Sequence, residues 1–440
     1  MFTAIAFFAA LTFVLSAFSL ILERVGVPPL VLAMMAGVVA GPFVGGLIDP
    51  ADLGLRAPQA MEEITRFVLT ISLLGVALRL PTGYWRANAR WVAASIGVGM
   101  LVMFAVAAGS VLLLGVPLLT ALLIAAAITP TDPVVTTPIV TGPIAEKRIP
   151  SRVRFNMSSE SGLNDGLGFL LVMLPVLLLA RPTREAWSHW AGHVLLWEVL
   201  TPVVGGLILG AAAGYLMDTA ASRNWTMSAS YLGYGVAMAL AVLGIFRLLG
   251  TDAILAVFVA AAAFSDRITS DLRHELGQEI DALGRVIIIP MFALIGVILP
   301  WGEWGELGWA WPPVLILAML GRRIVGIWVT RPLYRRLHTR TESAFLSWFG
   351  PVGVSALFYA SLAAERTGDA LVFPAVTLTI ALSVLVHGLT ATPAGVWLAR
   401  HPGRAVEPAG SGVGRVFPRR AGPWSGAPTR RARRPGRASR

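Results

Sequence analysis

The sequence predicts an all-α, polytopic membrane protein of about 13 transmembrane helices, and three observations carry that prediction. Of 440 residues, 56% are hydrophobic and only 13% charged, which is not the balance of a large water-exposed domain. The mean hydropathy is +0.73. The apolar residues gather into runs of about 20, the length a helix rising about 1.5 Å per residue needs to cross a hydrocarbon layer about 30 Å thick. The absence of cysteine excludes disulfides and thiolate metal sites.

In chain order the apolar segments cover roughly 2–22, 29–48, 63–80, 91–115, 118–142, 155–180, 192–217, 227–249, 251–265, 284–300, 312–330, 344–363 and 370–393. The first has no basic residue ahead of it. Glu23 and Arg24 follow it, so it reads as a retained helix and not as a cleaved leader. The joints near Gly115-Val116-Pro117 and Leu249-Gly250 are the tightest. Basic residues favour one set of loops over the other by about fifteen to four, which puts the N-terminus outside and the C-terminus in the cytoplasm. Between Asp266 and Gly284, Leu272, Leu276, Ile280 and Leu283 recur at helical spacing. An interfacial or connecting helix is expected there, with a plain polar linker as the alternative. The net charge of +11 belongs mostly to the end of the chain, where eleven arginines from Arg400 onward face one acid, Glu407. This tail, 402–440, is rich in Arg, Pro, Gly, Ala and Ser and is expected to be disordered. It either contacts anionic lipid or is a compositionally biased extension. Nucleic-acid binding does not suit a segment tethered to so many membrane helices.

Segment 6 holds the residues around which the rest is organised. Asp165 falls near its middle, where a carboxylate costs on the order of 3 kcal/mol by insertion scales. Glu160 adds a second such cost. Glu160 and Asn164 are four apart and share a face; Ser161 and Asp165 form a second such pair about 100° away. Segment 5 carries Thr131 and Asp132 between Pro130 and Pro133, which predicts an interrupted helix with freed backbone groups at membrane depth. A simple proline kink is the bland alternative. Hydroxyl, amide and carboxylate oxygens from the two segments then converge, and hard oxygen donors suit a small hard cation. With no sulfur ligand and no clustered His, a transition-metal site is not expected. In segment 11 a buried Arg323 needs a carboxylate, and Glu160 is the first candidate. Arg322 points elsewhere, toward another acid or the loops. Phe349-Gly350-Pro351-Val352-Gly353 predicts a second break, in segment 12. Segment 5 is the middle of 4–6 and segment 12 the middle of 11–13, the arrangement of two inverted repeats with a site between them. His387 is either a proton relay or a hydrogen-bonded structural histidine; His189, His193, His274 and His338 fall in loops and say little.

Taken together, Thr131-Asp132-Pro133, Glu160-Ser-Gly-Leu-Asn-Asp165, Arg323-Ile-Val-Gly326, Phe349-Gly-Pro-Val-Gly353 and His387-Gly-Leu-Thr390 resemble the sodium/proton exchanger branch of the monovalent cation/proton antiporters, the NhaP and NHE type. The resemblance covers residues 1–395 and leaves out the tail. It implies two six-helix inverted repeats flanking helix 7, with broken helices 5 and 12 crossing near the midplane. An interface part would comprise helices 1–3 and 7–10, and a moving core helices 4–6 and 11–13. Asp165 would carry the cation or the proton. Asp132, Thr131, Ser161 and Asn164 would line the site, and Glu160 and Arg323 would be a structural ion pair. A homodimer in the plasma membrane and no cofactor are implied. Val352 departs from the family pattern, in which a basic residue is common.

The expected activity is exchange of Na⁺, with Li⁺ or K⁺ as alternatives, for H⁺, one for one. Two rival readings are a sodium-coupled carrier of organic anions with the same architecture and an intramembrane aspartyl protease using Asp132 and Asp165. The Asn164-Asp165 pair and the Glu160/Arg323 pair speak against the first. The lack of a Gly-x-Gly-Asp pattern speaks against the second. A midplane acid on a broken helix suits alternating access better than a channel.

Overall fold

The computed structural model describes residues 1–55, 58–227, 230–334 and 338–401, and these belong to one compact unit. The tail 402–440 and the lipid contact expected of it lie outside the described residues. Among the described residues the secondary structure is helical, with no strand.

Helices occupy the apolar segments in order: α1 (Phe2–Ala17), α2 (Pro29–Ala40), α3 (Pro58–Leu78), α4 (Ala89–Leu112), α5a (Leu118–Ile128), α5b (Thr137–Val140), α6 (Ser151–Ala180), α7 (Thr183–Ser222), α8 (Tyr231–Leu248), α9 (Ala253–Arg267), α10 (Ser270–Val297), α11 (Trp311–Tyr334), α12a (Arg340–Trp348), α12b (Val354–Thr367) and α13 (Val372–Arg400). Among the described residues seven of them, α4, α6, α7, α8, α10, α11 and α13, are long and apolar enough to cross a membrane unaided. The tight joints are turned by Gly115 and Gly250, both at positive φ (73° and 67°), where a side chain would be strained.

The amphipathic stretch after Asp266 forms no separate interfacial element. Leu272, Leu276 and Ile280 are buried on the first turns of α10, which runs unbroken to Val297 and is separated from α9 only by Ile268 and Thr269. The Thr269 hydroxyl accepts from the Leu272 N–H and starts the helix. Once that cap is made, the apolar face gains more by packing inside the bundle than by lying on a membrane surface.

Two helix pairs are joined backbone to backbone. A Cβ on Gly37 of α2 would stand 1.9 Å from the Ala293 carbonyl oxygen of α10, and one on Gly210 of α7 would stand 2.0 Å from the Ala260 carbonyl oxygen of α9. Only glycine permits these approaches, so α2 with α10 and α7 with α9 behave as stiff units. Against this framework α3 packs on α9 and α12b, and α11 packs on α4.

Candidate functional site

The two helix breaks meet. α5a stops at Ile128, ahead of Pro130 and Pro133, and α12a stops at Trp348, ahead of Pro351. Proline supplies no N–H to the preceding turn, so carbonyls at both ends are left over. The Asp132 N–H donates to the Pro351 carbonyl at 2.9 Å and pins one break to the other. The Val352 N–H is taken by Ser383 Oγ at 2.7 Å. A Cβ on Gly353 would lie 2.3 Å from Asp132 Oδ2, so only glycine lets the two breaks cross here.

Charges match the half-helix ends. Asp132 Oδ1 accepts from the N–H groups of Val134 (2.6 Å) and Val135 (3.1 Å), and Oδ2 accepts from Val354 N–H at the start of α12b. An anion therefore sits at helix N-terminal ends. At the C-terminal ends two arginines do the converse. Arg322 donates to Thr129 O (2.8 Å) and Gly350 O (2.9 Å), one carbonyl from each break. Arg323 Nε donates to Leu346 O (2.9 Å) and Phe349 O (3.1 Å). The other side of the Arg323 guanidinium meets Glu160 with both nitrogens, Nη1 to Oε1 and Nη2 to Oε2, the latter at 3.1 Å. Arg322, Arg323 and Glu160 are all at least 98% buried. Among the described residues Arg322 forms no ion pair, contrary to one of the two destinations expected for it, although Glu160 is within electrostatic reach; it bonds instead to carbonyls left free by the two helix breaks.

Asn164 Oδ1 accepts from the Thr131 N–H (3.2 Å) and its Nδ2 donates to Thr131 Oγ1 (2.9 Å), tying α6 to the first break. Thr131 Oγ1 and Ser161 Oγ are 3.1 Å apart. Asp165 is fully buried, and among the described residues neither of its carboxylate oxygens completes a hydrogen bond. Ser355 Oγ, also without a completed hydrogen bond, faces it, and Asp132 is close enough for direct electrostatic interaction. Tyr359 of α12b, fully buried, donates to the Asp165 and Gly166 carbonyls, the second at 3.0 Å. Sequence reasoning missed Ser355 and Tyr359. They lie on an apolar helix without local pattern, and only the crossing brings them to α6. His387 bonds to Ser383 and Trp348 O, as a structural histidine does. His338 is not a free loop residue: it is 97% buried, with Nε2 2.7 Å from Asn156 Nδ2.

A cavity of about 780 Å³ opens at the end of the bundle where α6 begins. Its walls include Gly75 and Arg79 of α3, Pro133 and Thr137 around the first break, Ser158 of α6 and Asp281 of α10. Its lining includes Pro133 and Val134, the residues after Asp132, but not Asp165. Among the described residues no three His, Asp or Glu side chains gather as a metal-ligand cluster.

A family profile described as sodium/hydrogen exchanger, transmembrane, matches residues 8–397. A Na(+)/H(+) antiporter of Schizosaccharomyces pombe is 28% identical over 399 residues, which are 83% of this chain and 84% of that protein. The K(+)/H(+) antiporter NhaP2 of Shewanella oneidensis is 24% identical over 84% of this chain and 63% of its own length. The solved structure of the sodium proton antiporter MjNhaP1 from Methanocaldococcus jannaschii superposes with a TM-score of 0.69 at 18% identity, covering 90% of this chain and 98% of that one.

Proposed function

We propose that this chain, which belongs to the sodium/hydrogen exchanger family, uses Asp165 as the carboxylate that binds cation and proton in turn. It is an integral membrane antiporter, a secondary transporter and not an enzyme, that exchanges a monovalent cation for protons and needs no cofactor. The observation that carries the Asp165 assignment is its carboxylate, buried at the centre of α6 with neither oxygen bonded to the protein. A buried carboxylate with no completed hydrogen bond is costly, and a proton or a small cation relieves that cost. Ser161 and Thr131 supply hydroxyl oxygens beside it, and Asn164 holds Thr131 in place. Asp132 adds negative charge and holds the helix ends.

Exchange is electroneutral, one cation for one proton. Glu160 is committed to Arg323, and Asp132 is committed to three backbone N–H groups, so both keep one charge through the cycle. Asp165 is then the acid that changes partners, and it is neutralised equally by either ion. The core of helices 4–6 and 11–13 moves against helices 1–3 and 7–10, exposing Asp165 to each face in turn, and the cavity at the start of α6 is the path on one face. Na⁺ is the proposed cargo, with Li⁺ and K⁺ as alternatives. The protein works as a homodimer in the plasma membrane with the N-terminus outside and the C-terminus in the cytoplasm; the loop bias of basic residues supports that orientation.

The test is proton efflux from proteoliposomes on adding Na⁺, Li⁺ or K⁺. Asp165→Asn should abolish it in protein that still folds and inserts, and an imposed potassium/valinomycin potential should not set the direction of turnover in the parent. Cation-dependent proton flux in Asp165→Asn removes the site assignment, and voltage-driven turnover removes the one-for-one stoichiometry.

A further inference from the structure

Asp252 is a second buried acid that the exchange cycle above does not use. It is 95% buried at the N-terminal end of α9. Its Oδ1 caps that helix, accepting from the N–H groups of Ile254 and Leu255, each at 3.1 Å. Its Oδ2 is buried and accepts no hydrogen bond among the described residues. A helix cap needs one carboxyl oxygen, and asparagine serves equally well. The charge and the second oxygen are therefore surplus to the structural role.

Its position relates it to Asp165. Leu255, one turn along α9, packs on the turn of α6 that bears Asp165: a Cβ on Gly166 would lie 2.8 Å from Leu255 Cα. Tyr359, whose hydroxyl holds the Asp165 carbonyl, interacts electrostatically with both Asp252 and Asp165. Asp252 thus stands about one helical turn beyond the Asp165 level, on the side of the bundle opposite the 780 Å³ cavity. From there acids continue toward that end. Glu198 offers its carbonyl to the Asp252 N–H at 3.0 Å, its side chain is within electrostatic reach of Asp252, and one of its oxygens lies 3.2 Å from His193. Glu62 and Glu63 flank Arg66, which neighbours Asp252 but spends its own nitrogens on those two glutamates. The cavity at the other end is lined instead by Arg79, Arg154, Arg273 and Arg285, with Glu146 and Asp281 as its acids.

We propose that Asp252 Oδ2, with Glu198, forms a second, transient site for a monovalent cation on the path between Asp165 and the face opposite the arginine-lined cavity. The inference rests on Asp165 as the carrier. In the division proposed above, α9 stays with α7, to which glycine contacts join it, and Asp165 moves past Asp252. A fixed carboxylate with a free oxygen lowers the cost of stripping water from the cation before it reaches Asp165, and takes it up again on release.

Asp252→Asn decides the matter because it keeps the cap and removes the charge. Proteoliposomes of sorted orientation are assayed for ²²Na⁺ uptake with cation supplied to one face at a time. The expected result is a several-fold rise in the half-saturating Na⁺ concentration on the face opposite the cavity, with the cavity face unchanged and thermal stability like the parent. Glu198→Gln should shift the same face in the same direction by less. Unchanged half-saturation on both faces makes Asp252 a helix cap only, and equal shifts on both faces place its effect at Asp165; either outcome overturns the proposal. If Asp252→Asn is not recovered folded, Glu198→Gln alone decides by the same face-to-face comparison. Failure of the Asp165 reading is seen separately, as exchange that persists in Asp165→Asn.

Discussion

Neutralising the two members of the Glu160–Arg323 pair should cost unequal amounts, and the inequality follows from their hydrogen bonds. Among the described residues both Glu160 oxygens bond only to Arg323, so Arg323→Gln removes the charged donor of a buried carboxylate and also frees the Leu346 and Phe349 carbonyls. Glu160→Gln leaves Arg323 with those two carbonyls still bound and an amide oxygen to accept from it. Removing one partner of a buried pair costs about 3–5 kcal/mol. Arg323→Gln belongs at the upper end of that range, or above it, and Glu160→Gln at the lower end. In the double variant no buried charge of the pair remains, so its cost should fall short of the sum of the singles by about 1–3 kcal/mol. The assay is equilibrium unfolding in mixed micelles followed by far-ultraviolet circular dichroism for the parent, both singles and the double. A coupling below about 0.5 kcal/mol, or a larger loss from Glu160→Gln than from Arg323→Gln, would refute the reasoning.

Arg322→Gln should destabilise the crossing by several kcal/mol, since two charge-assisted hydrogen bonds of about 1.5–3 kcal/mol each are lost; the same unfolding assay reads it, and exchange should fall with it. Gly162→Ala places a Cβ 2.1 Å from Phe258 Cε2, so α6 should no longer seat against α9 and turnover in liposomes should drop sharply, whereas Gly162→Ala/Phe258→Ala should recover part of it. At the head of α12a, burial alone would raise the Glu342 carboxyl, but its interactions with His338, Arg152 and the Thr339 N–H outweigh burial and hold it at about 2. The folded value lies below the ordinary carboxylate range. The stability it contributes is therefore complete above that range and lost as pH falls toward 2. Glu342→Gln should flatten that acid limb in unfolding measured across pH.

The membrane character, the helical segments, both helix breaks and the acid-rich stretch of α6 were legible in the sequence because each is a local property. Run length sets the spans, Pro130, Pro133 and Pro351 remove backbone donors where they stand, and spacing along α6 puts Glu160 with Asn164 and Ser161 with Asp165 on shared faces. Arg323 and Glu160 were also legible as a candidate pair, since a buried guanidinium must find a carboxylate and few acids lie at that depth. What the chain order could not express was which partner satisfies a group once helices cross. Arg322 finds carbonyls from two breaks 221 positions apart in sequence (Thr129 and Gly350), Tyr359 and Ser355 reach α6 from an apolar helix, and His338 is buried against Asn156 though its local sequence reads as a loop. Asp252 drew no attention in the sequence; it became informative only when burial cut its second oxygen off from water. Local composition decides where a polar group enters the membrane, but the cost of leaving it there depends on neighbours from distant segments, and that is fixed only when the helices pack.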